Sequence, residues 1–172
     1  MYLLQQPDTT TMPDEFRQNV AVNDRIERFI EVIGQHLEKQ AARMPPGQRT
    51  VFRSSLRHGK KFSISTIAAH AVAVWADEIK HGKQVAWDDL KRWLREYLNL
   101  IYLETSRITQ VRFDDETADA LNAISAYLFA YPQDIPLLKS RRYENVASGR
   151  IVTILALAKL AYEINPKLPP LD

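Results

Sequence analysis

The fold is decided by the stretch from Trp87 to Arg107, which reads WDDLKRWLREYLNLIYLETSR. Its apolar residues recur at steps of three and four, the period of one face of an α-helix. They are Leu90, Trp93, Leu94, Tyr97, Leu98, Ile101 and Tyr102. Leu100 and Leu103 widen the apolar stripe beyond one face. We therefore predict that this helix is central, with neighbours on several sides.

The same period recurs along the chain between residues that start and stop helices. Four further helices are predicted at 23–44, 63–82, 114–131 and 145–164, with caps at Asn23, Ser63 or Ser65, Asp114 or Asp115, and Asn145 or Ser148. A short helix is predicted from Pro13 to Val20, because proline and acidic residues suit a first turn. Residues 108–113 are predicted to be an extended connector.

These elements predict an all-α fold, a single-domain helical bundle of about five main helices plus one or two short ones. We expect a flexible tail at residues 1–12, one helical domain at 13–164 and an extended tail at 165–172. The 172 residues suit one domain with a substantial core. We take the alanine-rich helix predicted at 63–82 as the packing partner of the helix at Trp87.

Composition excludes several functional classes. The chain has no cysteine, so disulfides, thiolate catalysis and cysteine-ligated metals are excluded, and we expect a cytoplasmic protein. No run of about 18 apolar residues is present, so we expect no membrane partner. The sequence also lacks a glycine-rich phosphate loop and the common catalytic signatures. We expect neither a cofactor nor a metal ion.

Charge is distributed unevenly along the chain. Residues 41–61 contain six Lys and Arg residues and no Asp or Glu, whereas residues 113–138 contain five acidic residues and no basic one. Residues 49–61 are predicted to form a basic helix, which we call the basic segment; its three arginines are four residues apart and two lysines follow them. The predicted anion-binding or nucleic-acid-binding residues are Arg49, Arg53, Arg57, Lys60 and Lys61. Alternatively, this segment is a solvated helix face or pairs with the acidic region.

Arg53 and His58 have the spacing Arg-x-x-x-x-His. This six-residue pattern resembles the Arg-x(4–6)-His signature of the HEPN superfamily, small helical proteins that include ribonucleases. The resemblance implies metal-independent RNA cleavage, in which the arginine and histidine act on an RNA phosphate across a dimer interface.

Two further patterns are more simply structural, and a third concerns two aromatic residues. Glu78 and His81 have the spacing of ligands in di-iron bundles, but such sites need a second pair and two more glutamates. His70 lies within the alanine-rich helix and is expected at the edge of the core. Trp87 and Tyr131 flank helices, so an exposed ring at either position would indicate a partner site.

The sequence therefore predicts a non-enzymatic binding or assembly module whose basic segment contacts a nucleic-acid backbone or an acidic partner. A second hypothesis is a protein–protein scaffold or oligomeric subunit without a nucleic-acid role, since the wide stripe after Trp87 would allow a homodimer. A third is a HEPN-like ribonuclease that uses Arg53 and His58.

Overall fold

A computed structural model describes residues 15–45, 62–102, 107–133, 135 and 149–168. Within these ranges the protein is a mostly helical single domain, in which five helices pack together beside a small two-stranded antiparallel sheet. The predicted helical-bundle class is confirmed, and the sheet is an addition to it. In chain order the elements are β1 (Glu15–Val22), α1 (Asp24–Arg43), α2 (Ile64–Lys80), α3 (Trp87–Tyr102), β2 (Arg107–Asp114), α4 (Asp115–Phe129) and α5 (Gly149–Ile164).

Helix α5 is the centre of the fold. Every residue from Ile151 to Tyr162 is buried, and α1, α2, α3, α4 and β1 all pack against this helix. A helix that is apolar on all sides is stable only when other elements surround it. Among the described residues, no helix combines the length and the apolar character needed to cross a bilayer.

The prediction that the helix at Trp87 is central was wrong. Helix α3 packs one face against α5 and leaves Leu98 37% exposed on another. Its predicted pairing with α2 is wrong as a main packing contact, because α2 packs chiefly against α4 and α5, whereas α3 packs chiefly against α5. A ring contact joins Trp75 of α2 and Trp93 of α3, whose ring centroids are 5.6 Å apart in an edge-to-face arrangement.

The predicted helix at Pro13–Val20 was also wrong, because residues 15–22 form β1. This strand pairs antiparallel with β2, in a register that runs from Glu15 opposite Asp114 to Val22 opposite Arg107. Alternating residues of the two strands, Val20 and Val22 with Val111 and Phe113, are buried. A strand partner 85 to 99 residues away therefore overrides the local helix-start signal. The predicted connector at 108–113 lies within β2.

The predicted caps of α1, α2 and α4 are confirmed, whereas the predicted cap of α5, Asn145 or Ser148, lies outside the described residues. Asn23 Oδ1 accepts a hydrogen bond from the backbone N–H of Ile26 at 2.9 Å, and Asp114 Oδ1 accepts one from Thr117 at 2.8 Å. Ser63 caps α2 in the same way through Thr66. Each side chain satisfies an N–H group that the first helical turn would otherwise leave unpaired.

The turn between α2 and α3 depends on Gly82. This residue has a φ of +83°, in the left-handed region that glycine adopts at little cost. A Cβ atom added at this position would meet no other atom within 4 Å. Any penalty for a side chain here therefore comes from the backbone conformation and not from a clash.

We predict that Gly82→Ala lowers the free energy of unfolding by about 1 kcal/mol, because alanine disfavours the left-handed region. Gly82→Asn is the matched control and should cost less, since asparagine tolerates this conformation. Urea denaturation followed by far-UV circular dichroism measures both. Equal stability of wild type and Gly82→Ala would contradict the assigned backbone conformation.

Candidate interaction surfaces

The residues predicted to bind anions lie outside the described residues. These are Arg49, Arg53, Arg57, Lys60 and Lys61, and His58 of the HEPN-like pair lies outside them as well. Arg43, the last residue of α1, is exposed. Phe62, the first described residue after the basic segment, is half-buried. The exposed Arg112 of β2 donates its backbone N–H to Ser65 Oγ at 2.9 Å. A further positive charge therefore lies near the start of α2, just after the basic segment.

A buried polar cluster joins α1, α3 and α5. The Arg25 guanidinium donates from Nε and Nη2 to the two carboxylate oxygens of Glu96, at 3.1 and 3.0 Å. The Tyr162 hydroxyl donates to Glu96 and also accepts a hydrogen bond of 2.6 Å from Arg25. The Glu96 side chain is 1% exposed and that of Arg25 is 16% exposed. The forked pairing orients both side chains strongly.

The environment of this cluster raises the pKa of Tyr162 and that of Arg25. Burial raises the pKa of Tyr162, and its hydrogen bond to Glu96 adds to the increase against the opposing effect of Arg25. Burial alone would lower the pKa of Arg25, but Glu96 and Tyr162 outweigh it, so the pKa is raised. The guanidinium of Arg92 also lies 5.0 Å from the centre of the Tyr162 ring. The cluster is thus well satisfied and links three helices.

A second buried charge is Lys159 of α5. Its ammonium lies 2.6 Å from Glu78 Oε1 and 2.7 Å from Glu163 Oε2, and its side chain is 4% exposed. Glu78, which sequence spacing paired with His81, is therefore a partner of Lys159. His81 instead lies with Nδ1 2.8 Å from the backbone oxygen of Asp77. Among the described residues, no three His, Asp or Glu side chains come together in a way that could hold a metal ion.

The aromatic residues considered as exposed anchors contact each other. The rings of Trp87 and Tyr131 are 5.8 Å apart and both residues are half-buried. The Tyr131 hydroxyl donates to the backbone oxygen of Val85 at 2.6 Å. Burial raises the pKa of Tyr131. The pair therefore fastens the end of α4 to the start of α3 and does not form a protruding anchor.

An open groove runs between α2 and α4, with a volume of about 610 Å³. The two helices run in the same direction, because Arg112 contacts Ser65 at one end and the Tyr127 hydroxyl accepts from the Val85 N–H at the other. The groove has five alanines, Ala69, Ala73, Ala76, Ala120 and Ala123. Its polar lining comprises His70, Asp77, Lys80, Asp114, Glu116, Thr117 and Asp119.

His70 lies on the wall of this groove and is partly buried, as expected from its position within the alanine-rich helix. Burial lowers its pKa, and the nearby His36 of α1 lowers it further. Its imidazole therefore favours the neutral form more strongly than an imidazole in water does.

No protein-family model, curated protein or solved structure matches this chain. Function must therefore be argued from the charges and the surfaces themselves. Sequence reasoning identified the basic segment but missed the groove, whose alanines carry no chemical signal of their own. The alanine content of the α2 pattern was the available hint, and it was interpreted as a contact with α3.

We predict that Glu96→Ala lowers the free energy of unfolding by about 3 kcal/mol, because it leaves the Arg25 guanidinium buried without its carboxylate. Glu31→Ala is the matched control. Glu31 pairs with Arg28 at 2.7 Å on the surface, and losing that pair should cost under about 0.5 kcal/mol. Urea denaturation at neutral pH measures both, and similar costs for the two variants would contradict the structural role of the cluster.

We predict that the protein loses stability below about pH 6.5 because of His70. The unfolded chain binds a proton at His70 more readily than the folded chain does, because the pKa is lowered in the fold. The unfolding free energy therefore decreases as the pH is lowered, by at most about 1.4 kcal/mol per pH unit from this group.

His70→Gln should flatten this loss between about pH 7.5 and 5.5, as measured by urea denaturation at several pH values. His81→Gln is the control, because the His81 side chain is 72% exposed. If wild type and His70→Gln lost stability in parallel, His70 would not be the titrating group.

Proposed function

We propose that this protein is a non-enzymatic helical binding module whose basic segment contacts the phosphate backbone of a nucleic acid. The supporting observation is the block at residues 41–61, with six positive charges and no acidic residue. Arg49, Arg53 and Arg57 would neutralise successive phosphates and release counterions, with Lys60 and Lys61 extending the contact. Such contacts fix position on the backbone and do not read bases.

The described surfaces beside this segment support the proposal. Arg43 is exposed before it, and Arg112 is exposed on β2 beside the start of α2. A polyanion that contacts these two arginines as well as the basic segment would bind more tightly at low salt.

Two other functions would give different experimental results. The groove between α2 and α4 favours a scaffold or subunit that binds protein, in which case nucleic acid would not bind even at low salt. The spacing of Arg53 and His58 supports a HEPN-like ribonuclease, which would degrade RNA without metal.

Fluorescence-anisotropy titration with short single-stranded and duplex DNA and RNA tests the proposal. We predict that affinity falls by about 100-fold or more between about 50 and 200 mM salt, as expected when about five phosphates are neutralised. No binding at the lower salt would refute the proposal, and a protein partner would then be sought.

The matched variants separate the mechanisms. Replacing Arg49, Arg53 and Arg57 by glutamate should abolish binding while circular dichroism remains unchanged. The control reverses three exposed basic residues elsewhere, Arg28, Lys39 and Lys91, and should weaken binding much less. Cleavage of RNA in the presence of a chelator, lost in His58→Ala without loss of binding, would identify a ribonuclease and contradict the non-enzymatic assignment.

A further inference from the structure

We propose that the groove between α2 and α4 binds a basic amphipathic helix of a partner protein. This interaction goes beyond the proposed nucleic-acid contact and does not depend on it. It uses a different surface, of opposite charge, on the same folded domain.

The shape of the groove fits a helix. Alanine has no side chain beyond Cβ, so Ala69, Ala73 and Ala76 of α2 and the facing Ala120 and Ala123 of α4 form a recessed floor. The lining on α2 extends from residue 69 to Lys80, which corresponds to about 16 Å along the helix axis, or three turns. Helix-in-groove recognition uses apolar side chains spaced by three and four residues over a comparable length.

The charge of the groove indicates a basic partner. Among the described residues, four carboxylates line it, those of Asp77, Asp114, Glu116 and Asp119, together with one ammonium, that of Lys80. Asp114 caps α4 through Thr117, and Asp77 lies 3.6 Å from the His81 ring. Glu116 and Asp119 are exposed, and neither side chain makes an ion pair or hydrogen bond with another residue in the described ranges.

The groove is acidic although the whole chain carries a net charge of +2. A phosphate backbone would be repelled at this surface, whereas lysines that flank an apolar helix face would pair with its rim. The apolar floor and the acidic rim therefore select the same occupant, a helix with small or medium apolar residues on one face and basic residues on both flanks.

The test uses the full chain and a fluorescein-labelled 14-residue peptide. The peptide carries leucine and alanine at positions spaced by three and four, with lysine at the flanking positions. A scrambled peptide of identical composition, which has no apolar helical face, is the control. We expect anisotropy to report at least about tenfold tighter binding of the amphipathic peptide. Equal affinity for the two peptides, or no binding by either, would overturn the proposal.

Two sets of variants localise the binding. The first removes negative charge from the groove and is compared with a control that removes it elsewhere. Asp77→Asn, Glu116→Gln and Asp119→Asn combined should weaken the peptide about tenfold, because three exposed ion pairs are lost. The control combines Asp24→Asn, Glu31→Gln and Asp88→Asn, three exposed carboxylates outside the groove, and should leave affinity unchanged. Equal weakening by the groove variant and by its control would show that the peptide is attracted by net charge alone, and would contradict a groove site.

The second set fills the groove without changing its charge. Ala73 and Ala123 are exposed groove residues, so leucine at both positions should leave the core intact and weaken the peptide about tenfold or more. Unchanged affinity in a folded Ala73→Leu, Ala123→Leu variant would refute the proposal. Neither set should reduce affinity for nucleic acid, so failure of this inference is distinguishable from failure of the proposed function.

Discussion

The burial of α5 is the constraint on which the rest of the structure depends. Twelve consecutive residues of this helix are buried, so the chain has to supply neighbours on every side. Three of the twelve have polar side-chain groups, and each group is satisfied by a different element. These contacts are Thr153 with Gln18 of β1, Lys159 with Glu78 of α2, and Tyr162 with Glu96 of α3 and Arg25 of α1.

These polar contacts make the packing specific. Apolar burial alone would allow α5 to rotate or slide among its neighbours, since it has little preference between similar apolar faces. A buried lysine or carboxylate left without its partner carries a large penalty, so only one rotation of α5 satisfies all three groups. The hydrophobic effect drives the assembly and the polar contacts select its geometry.

Much of the helical structure could be predicted from local signals. Caps such as Asn23 and Asp114 act through their nearest neighbours in sequence and were identified correctly. The central element was misassigned because a strong three- and four-residue period marks a helix that is exposed on one side, as α3 is. A helix buried all round, such as α5, loses that period. The strand β1 was missed because its partner is distant in sequence.

The two candidate surfaces also differ in whether local sequence or distant packing determines them. A block of like charges can be recognised from sequence alone, so the basic segment was identified as a candidate, although its residues lie outside the described ranges. The groove depends on α2 and α4 lying side by side, and nothing in the local sequence of either helix specifies that pairing. We therefore propose two surfaces of opposite charge on one helical domain. The exposed Arg112 lies beside the start of α2, and carboxylates line the groove farther along it.

The most direct test of this separation is an amide chemical-shift titration of the isotope-labelled protein with a short single-stranded oligonucleotide at low salt. The account predicts that the largest changes occur between Arg43 and Phe62 and near Arg112, while the amides from Ala69 to Lys80 and from Glu116 to Ala123 remain unchanged. Changes concentrated in the groove, or none at saturating oligonucleotide, would contradict it.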